Sequence, residues 1–412
     1  MDVLLVGAGS RGRDTFGSYA LRHPERMRVV AFAEPDETRR EVFATAHRIP
    51  EARSFRDWRP LLEAGIPAPA AIVATGDALH TGPALAALRG GYHLLLEKPM
   101  ALRLDECEAI VRAAEQTRRI LQIGHVLRYT PFYRKIWELA VRDRVLGEIQ
   151  TISMAEHVAH WHFTHSYVRG RWRSQQYAAP LILAKCCHDL DLMSWFVGRR
   201  CLRVASFGEL AHYRPERAPK DAAARCSDAC PAEPDCPHSA PRFYAHGRSG
   251  WPWNDVSLTP TREARIEALA TGPYGVCVYA GGNDQPDRQS VLLEFEGGIQ
   301  GRFEVDGFAA RPERSIRIQG TRGELRGRFE ARELEVRDYQ NGDAESHLVE
   351  AVPDGHGGGD QGLLDHFTDV TRREARGEVL ASGRAALESH RLGFAAELAR
   401  RKGRAVALEE LG

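Results

Sequence analysis

Over the first third of the chain, short apolar runs alternate with stretches of helical periodicity. Runs at 2–6, 28–33, 70–75 and 92–96 read as strands, the stretches 11–22, 36–47, 79–90 and 102–118 read as helices, and a further short run follows at 120–123. Alternation of this kind predicts a doubly wound parallel sheet, because each crossover helix covers a sheet that is buried on both faces. The pattern ends near residue 125. Beyond it Ser290–Glu296, Ile299–Val305, Ser315–Gln319, Glu324–Phe329 and Glu333–Arg337 read as short strands joined by glycine turns such as Glu296-Gly297-Gly298 and Gly320-Thr321-Arg322-Gly323. Consecutive strands with tight turns predict an antiparallel sheet with one face left over for a helix or a subunit. Helical stretches at about 360–376 and 384–402 close the chain.

The predicted class is therefore α/β, in two domains as the length of 412 residues suggests. Residues 1–125 form a doubly wound unit, and 126–412 form an α+β unit on a mostly antiparallel open sheet. The first strand runs into Gly7-Ala8-Gly9-Ser10-Arg11-Gly12. In that spacing Gly7 permits a tight turn, Gly9 lets the backbone approach a pyrophosphate, and Gly12 lets strand and helix pack closely, with Ser10 and Arg11 beside the phosphates. The second strand ends in Glu34, 22 residues after Gly12, where a carboxylate accepts hydrogen bonds from the adenosine ribose and repels a 2'-phosphate. A Rossmann domain binding NAD is the expectation. Arg39 and Arg40 keep NADP open, since an arginine beside the ribose is how a phosphate is accommodated.

Charge excludes other partners. Lysine plus arginine equals aspartate plus glutamate at 56 each, so no global field steers the chain to nucleic acid or an anionic membrane. No apolar run approaches a membrane span. A strand at residue 2 or 3 leaves no room for a signal core, and a cytoplasmic enzyme is expected. In that compartment the eight cysteines read as thiols or metal ligands.

A proline-rich segment at about 213–262 interrupts the second domain and carries Cys226, Cys230 and Cys236, with His238 close behind. A long irregular loop has little core of its own, so a structural zinc held by those thiolates with His238 or the distant Cys277 is one reading. The spacing matches no standard zinc signature, and free or loosely packed thiols are the other. Cys186 and Cys187 read as small packing residues.

The fourth apolar run stops abruptly at Glu97-Lys98-Pro99-Met100, delivering two charges to the carboxyl end of a sheet strand, where open α/β folds keep ligands. Together with the glycine fingerprint, Ala74-Thr75-Gly76-Asp77 with His80, Arg128-Tyr129-Thr130-Pro131 and Trp172-Arg173, this resembles the Gfo/Idh/MocA group of NAD(P)-dependent oxidoreductases across nearly the whole chain. The resemblance implies that Lys98 faces both nicotinamide and substrate, that the Lys98–Pro99 bond is often cis, and that Thr75, Asp77, His80, Glu97 and Arg128 border the cofactor. It also implies a second domain whose open sheet supports a homodimer or homotetramer. The group's D-x-x-x-H segment matches Ala184-Lys185-Cys186-Cys187-His188, so His188 takes the histidine place and Ala184 stands where the carboxylate is expected.

Oxidising a secondary alcohol needs a group to take the hydroxyl proton and a cation to stabilise the alkoxide. His188 and Lys98 suit those tasks, with Lys185 adding charge on the same helical face as His188 and Asp191. Asp191 is a candidate to orient the His188 ring. The stretch 156–173 reads as a loop rich in histidines, aromatics and arginines. With Tyr129 it offers His162, His165, Arg169, Arg171, Trp172 and Arg173 to a hydroxylated substrate, the arginines hinting at an anionic group. A dehydrogenase of a sugar, sugar acid or cyclitol is expected. Alternatives are an NAD-dependent glycoside hydrolase, working by transient oxidation, elimination, water addition and re-reduction, and a non-catalytic NAD-binding sensor.

Overall fold

The computed structural model describes residues 1–352, 355–372 and 379–411. Six strands, β1 (Asp2–Val6), β2 (Arg28–Ala33), β3 (Ser54–Phe55), β4 (Ala70–Val73), β5 (His93–Leu96) and β6 (Leu121–Ile123), form a parallel sheet in the order β3-β2-β1-β4-β5-β6. Leu94, Leu95 and Leu96 are all fully buried, which explains why β5 reads as a continuous apolar run rather than an alternation. The strand order reverses between β1 and β4. This opens a crevice at their carboxyl ends, and the residues following β1, β4 and β5 all arrive there.

Nine further strands form the second sheet: β7 (Ile149–Ala159), β8 (Cys201–Glu209), β9 (Arg288–Phe295), β10 (Gln300–Ala309), β11 (Glu313–Gly320), β12 (Gly323–Arg328), β13 (Glu333–Asp338), β14 (Ala344–Leu348) and β15 (Val406–Ala407). Their order is β14-β13-β12-β11-β7-β10-β9-β8-β15. The sheet is mostly antiparallel and mixed at its centre, where β7 runs parallel to β10 and antiparallel to β11. Residues 156–159 are therefore strand and the following residues to Arg169 are helical, correcting the loop expected over 156–173. The polar pair Glu156-His157, followed by further histidines, hid the end of a strand there.

Helices Cys187–Val197 and Gly383–Lys402 lie against this sheet, and the second also packs on helix Leu104–Thr117 and β6 of the first unit. The opposite face exposes Phe207, Leu292 and Phe308. The helix expected over 360–376 is seen as Gly359–Arg372, and 373–376 fall outside the described residues. Among the described residues, no helix is long and apolar enough to cross a membrane.

The proline-rich segment contains the short helices Ala240–Tyr244 and Trp253–Val256 and has a core after all. Ala240, Tyr244 and Leu269 are buried together, with Phe243, Trp253, Val256 and Tyr274 packed around them. Main-chain hydrogen bonds from Cys226 to Gly275 (2.8 Å) and from Cys277 to Ala224 (2.9 Å) pin it to the chain downstream. Cys226, Cys230, Cys236 and Cys277 are free thiols, and no group of metal-holding side chains forms among the described residues. The zinc expected from the cysteine spacing is not supported: apolar packing and backbone pairing fasten the segment instead.

Candidate functional site

At the end of β1 the chain turns through Gly7, whose φ of +93° is open to glycine. A Cβ on Gly7 would lie 2.7 Å from the Ala74 carbonyl, and one on Gly12 would lie 1.9 Å from the Gly7 carbonyl. Both glycines are forced by backbone packing. Gly9 has open space where its side chain would stand, so the turn presents bare backbone to the crevice. A π-type helix, Ser10–Gly17, follows with its amino end toward the same space. Glu34 accepts from the backbone N–H of Ala8 (2.8 Å) and of Asp36 (3.1 Å), fixing its carboxylate at the end of β2. This cradle fits the diphosphate and ribose of a dinucleotide.

The crevice continues into a cleft of 360 Å³ between the two sheets. Gly9, Ser10, Arg11, Thr75, Asp77, Glu97 and Lys98 line it from the first unit, and His162, Arg171, Trp172, Lys185 and His188 from the second. Arg11 donates to Glu97 at 2.6 Å and pairs with Asp360 at 2.8 Å. Asp77 accepts from the Trp172 indole (3.1 Å) and from Ala179 N–H (3.3 Å), joining the two units across the cleft. The Lys98–Pro99 peptide is cis, and Lys98 Nζ donates to the Ala184 carbonyl at 2.8 Å.

His188 enters the cleft from the first turn of helix Cys187–Val197. Burial, reinforced by Lys98, His125 and His356, pushes its imidazole well below the ordinary range, so the ring is neutral. Its neighbour Lys185 lies 3.2 Å from Glu156 and is lowered by burial against that pairing. Arg314, from β11, pairs with Glu156 and with Asp189 (3.3 Å). Two carboxylates and two cations thus form a closed group behind His188. Burial and Lys185 also keep His162 well below the usual histidine range.

Several expected site residues are placed elsewhere. Asp191 does not orient His188: it accepts from Arg128 Nε (2.6 Å) and Nη2 (2.8 Å) in a buried bidentate pair. Arg128 also donates to the Leu380 carbonyl and does not line the cleft. Arg169 is buried, donating to the carbonyls of Val276 (2.8 Å) and His238 (2.7 Å), so it fastens the proline-rich segment. His165 is buried between the Tyr244 hydroxyl (2.8 Å) and Asp255 (3.3 Å). Tyr129 and Arg173 lie outside the cleft lining, and His80 holds the Pro99 carbonyl at 2.7 Å beneath it.

Other lining residues escaped the sequence reading. Trp251 comes from the proline-rich segment and meets His162 edge-on with ring centroids 4.7 Å apart, and Tyr167 lies beside Trp172. His356 and Asp360 come from the far end of the chain, with His356 Nδ1 2.9 Å from Asp360 Oδ2. Only the run His356-Gly357-Gly358-Gly359-Asp360, a histidine beside three glycines, could have drawn attention to them.

Residues 1–125 match the family model described as oxidoreductase family, NAD-binding Rossmann fold, and residues 140–408 match its C-terminal alpha/beta domain. An oxidoreductase of Bacillus subtilis (strain 168), YteT, is 24% identical over 337 residues, covering 78% of this chain and 77% of that one. The 2,7-anhydro-N-acetylneuraminate hydratase of Escherichia coli (strain K12) is 26% identical over 148 residues, covering 35% of this chain and 38% of that one. The solved structure of the WlbA dehydrogenase from Chromobacterium violaceum, in complex with NADH and UDP-GlcNAcA, superposes with a TM-score of 0.68 at 18% identity, covering 99% of this chain and 95% of that one. The chain belongs to the Gfo/Idh/MocA family of NAD-binding oxidoreductases.

Proposed function

We propose that this oxidoreductase transfers a hydride at a secondary alcohol of a sugar, sugar acid or cyclitol, with Lys98, His188 and Lys185 as its chemical groups. The observation that carries the reading is the convergence of Lys98 and a neutral, buried His188 on one cleft beside the glycine cradle. NAD, when bound, supplies the hydride acceptor. The Lys98 ammonium hydrogen-bonds the reacting hydroxyl and stabilises negative charge on its oxygen. His188 accepts the hydroxyl proton, and Lys185, neutralised from behind by Glu156, keeps the floor of the cleft polar without leaving a bare charge.

Rings of Trp172, Tyr167 and Trp251 supply flat apolar walls for a sugar face. Arg171, whose guanidinium lies 4.4 Å over the Trp172 ring, is exposed at the cleft and suits an anionic substituent. The open sheet face with Phe207, Leu292 and Phe308 supports association into dimers or tetramers.

A redox-neutral reading, glycoside cleavage through transient oxidation, draws on Ala184, which leaves Lys98 without the expected carboxylate, and on the similarity to a hydratase. Incubation with NAD and a panel of myo-inositol, hexuronates, a UDP-linked amino sugar acid and nitrophenyl glycosides separates the two. NADH accumulating in proportion to free sugar consumed supports the dehydrogenase. Aglycone release without NADH transfers the assignment to the hydrolase, and turnover by neither route leaves an NAD-binding sensor.

A further inference from the structure

A proton accepted by His188 has no resting place there. The ring is buried, its Nδ1 has no hydrogen-bond partner among the described residues, and Lys98 and Arg314 place positive charge near it. His356 lies beside that ring and reaches solvent. The two ring centroids are 6.3 Å apart, and 41% of the His356 side chain is exposed.

The surroundings of His356 have the parts of an oriented acid and base. Asp360 Oδ2, four residues on, lies 2.9 Å from Nδ1, so the carboxylate sets the ring and leaves Nε2 as the exchanging nitrogen. Asp360 is itself anchored by Arg11 at 2.8 Å. Although burial opposes it, Arg11 and His356 hold the Asp360 carboxyl well below its usual range. The backbone tells the same story. His356 has φ 54° and ψ 33°, left-handed values that disfavour a residue with a side chain, ahead of Gly357 and Gly358 in the same region. The loop holds an imidazole where glycine would be easier.

We propose that His356, positioned by Asp360, is a proton relay that carries protons between His188 and solvent during turnover. The inference rests on the reading of His188 as proton acceptor. In the oxidative direction the substrate O–H bond breaks and its proton joins His188, while the carbon-bound hydrogen leaves as hydride to NAD and a carbonyl forms. The proton then passes through water to His356 Nε2 and out to buffer, so one proton and one NADH appear per alcohol consumed.

The test uses full-length, NAD-loaded protein with myo-inositol, glucuronate and galacturonate as probes. His356→Asn keeps a residue suited to left-handed backbone, and His356→Ala is the second variant. In weak buffer both variants are expected to lose about tenfold or more in kcat, with the KM for the sugar and the affinity for NAD within about twofold of the parent. Added imidazole should restore kcat in the variants and leave the parent unchanged. Independently of turnover, diethyl pyrocarbonate followed by peptide mass spectrometry should label His356 well before His188. Undiminished kcat in weak buffer, a loss that imidazole does not repair, or a His356 that resists labelling would overturn the relay. If the parent turns over none of the probes, the dehydrogenase reading fails first and takes the relay with it; a parent that works with unaffected variants fails the relay alone.

Discussion

The side-chain ammonium of Lys98 donates a hydrogen bond to the main-chain carbonyl of Ala184 at 2.8 Å. A backbone dipole therefore occupies the place where the family resemblance leads one to expect a carboxylate. A carbonyl orients the ammonium without cancelling its charge. Lys98 lines the cleft, where an ammonium favours an oxygen that becomes negative during reaction.

Replacing Lys98 by alanine is expected to lower turnover about 100-fold to 1,000-fold, the usual effect of losing a donor to a developing oxyanion. NAD affinity should change little, because the cradle is built from backbone around Gly7, Gly9 and Gly12. Steady-state kinetics beside a fluorescence titration with NADH check the two parts. Unchanged kcat would remove Lys98 from the chemistry.

Gly12→Ala should act in the opposite sense. Its Cβ would stand 1.9 Å from the Gly7 carbonyl, so strand and helix must separate and the phosphate cradle distorts. A loss of NADH affinity of at least about tenfold is expected, together with a lower Tm. Wild-type affinity in the NADH titration would show that the turn is not the dinucleotide cradle.

The pair Arg128–Asp191 is a test of structural against catalytic placement. Either residue changed alone to alanine leaves a buried charge uncompensated, with an expected cost of about 3–5 kcal/mol in urea unfolding. The double variant Arg128→Met with Asp191→Leu should recover much of that loss. Singles that unfold like the parent while losing NAD would return Arg128 to the cofactor site.

Stability should fall with acid. Burial lowers His125 to about 4 and His238 and His390 to about 3, against about 6.5 in the unfolded chain. Below pH 6.5 the unfolded state binds protons that the folded state refuses. Their contribution is thus complete above pH 6.5 and is lost progressively toward pH 4 and then pH 3. At pH 5.5 each histidine costs about 1 kcal/mol, so the urea midpoint should drop between pH 7.5 and 5.5. An unchanged or higher midpoint at pH 5.5 would contradict these buried neutral rings.

The chain's local chemistry determined the parallel sheet, the glycine cradle, Lys98 and His188. Those features are written in short-range pattern: apolar runs at strand length, glycines that no side chain can replace, and charges placed at a strand end. Periodicity could not say that β7 lies at the middle of the second sheet, because its place there is set by pairing with β10 and β11, which are distant in sequence. Nor could cysteine spacing reveal that the proline-rich segment carries its own apolar core.

Only the tertiary structure decided which charges meet. Arg128 finds Asp191 across 63 residues, Arg169 turns inward to the carbonyls of the proline-rich segment, and His356 and Asp360 join Arg11 from the other end of the chain. A side chain's ionic partner is set by the packing of elements distant in sequence. Propensity and spacing act over a few residues, so they locate the groups able to do chemistry; burial and long-range contact then divide them between holding the fold and working in the cleft.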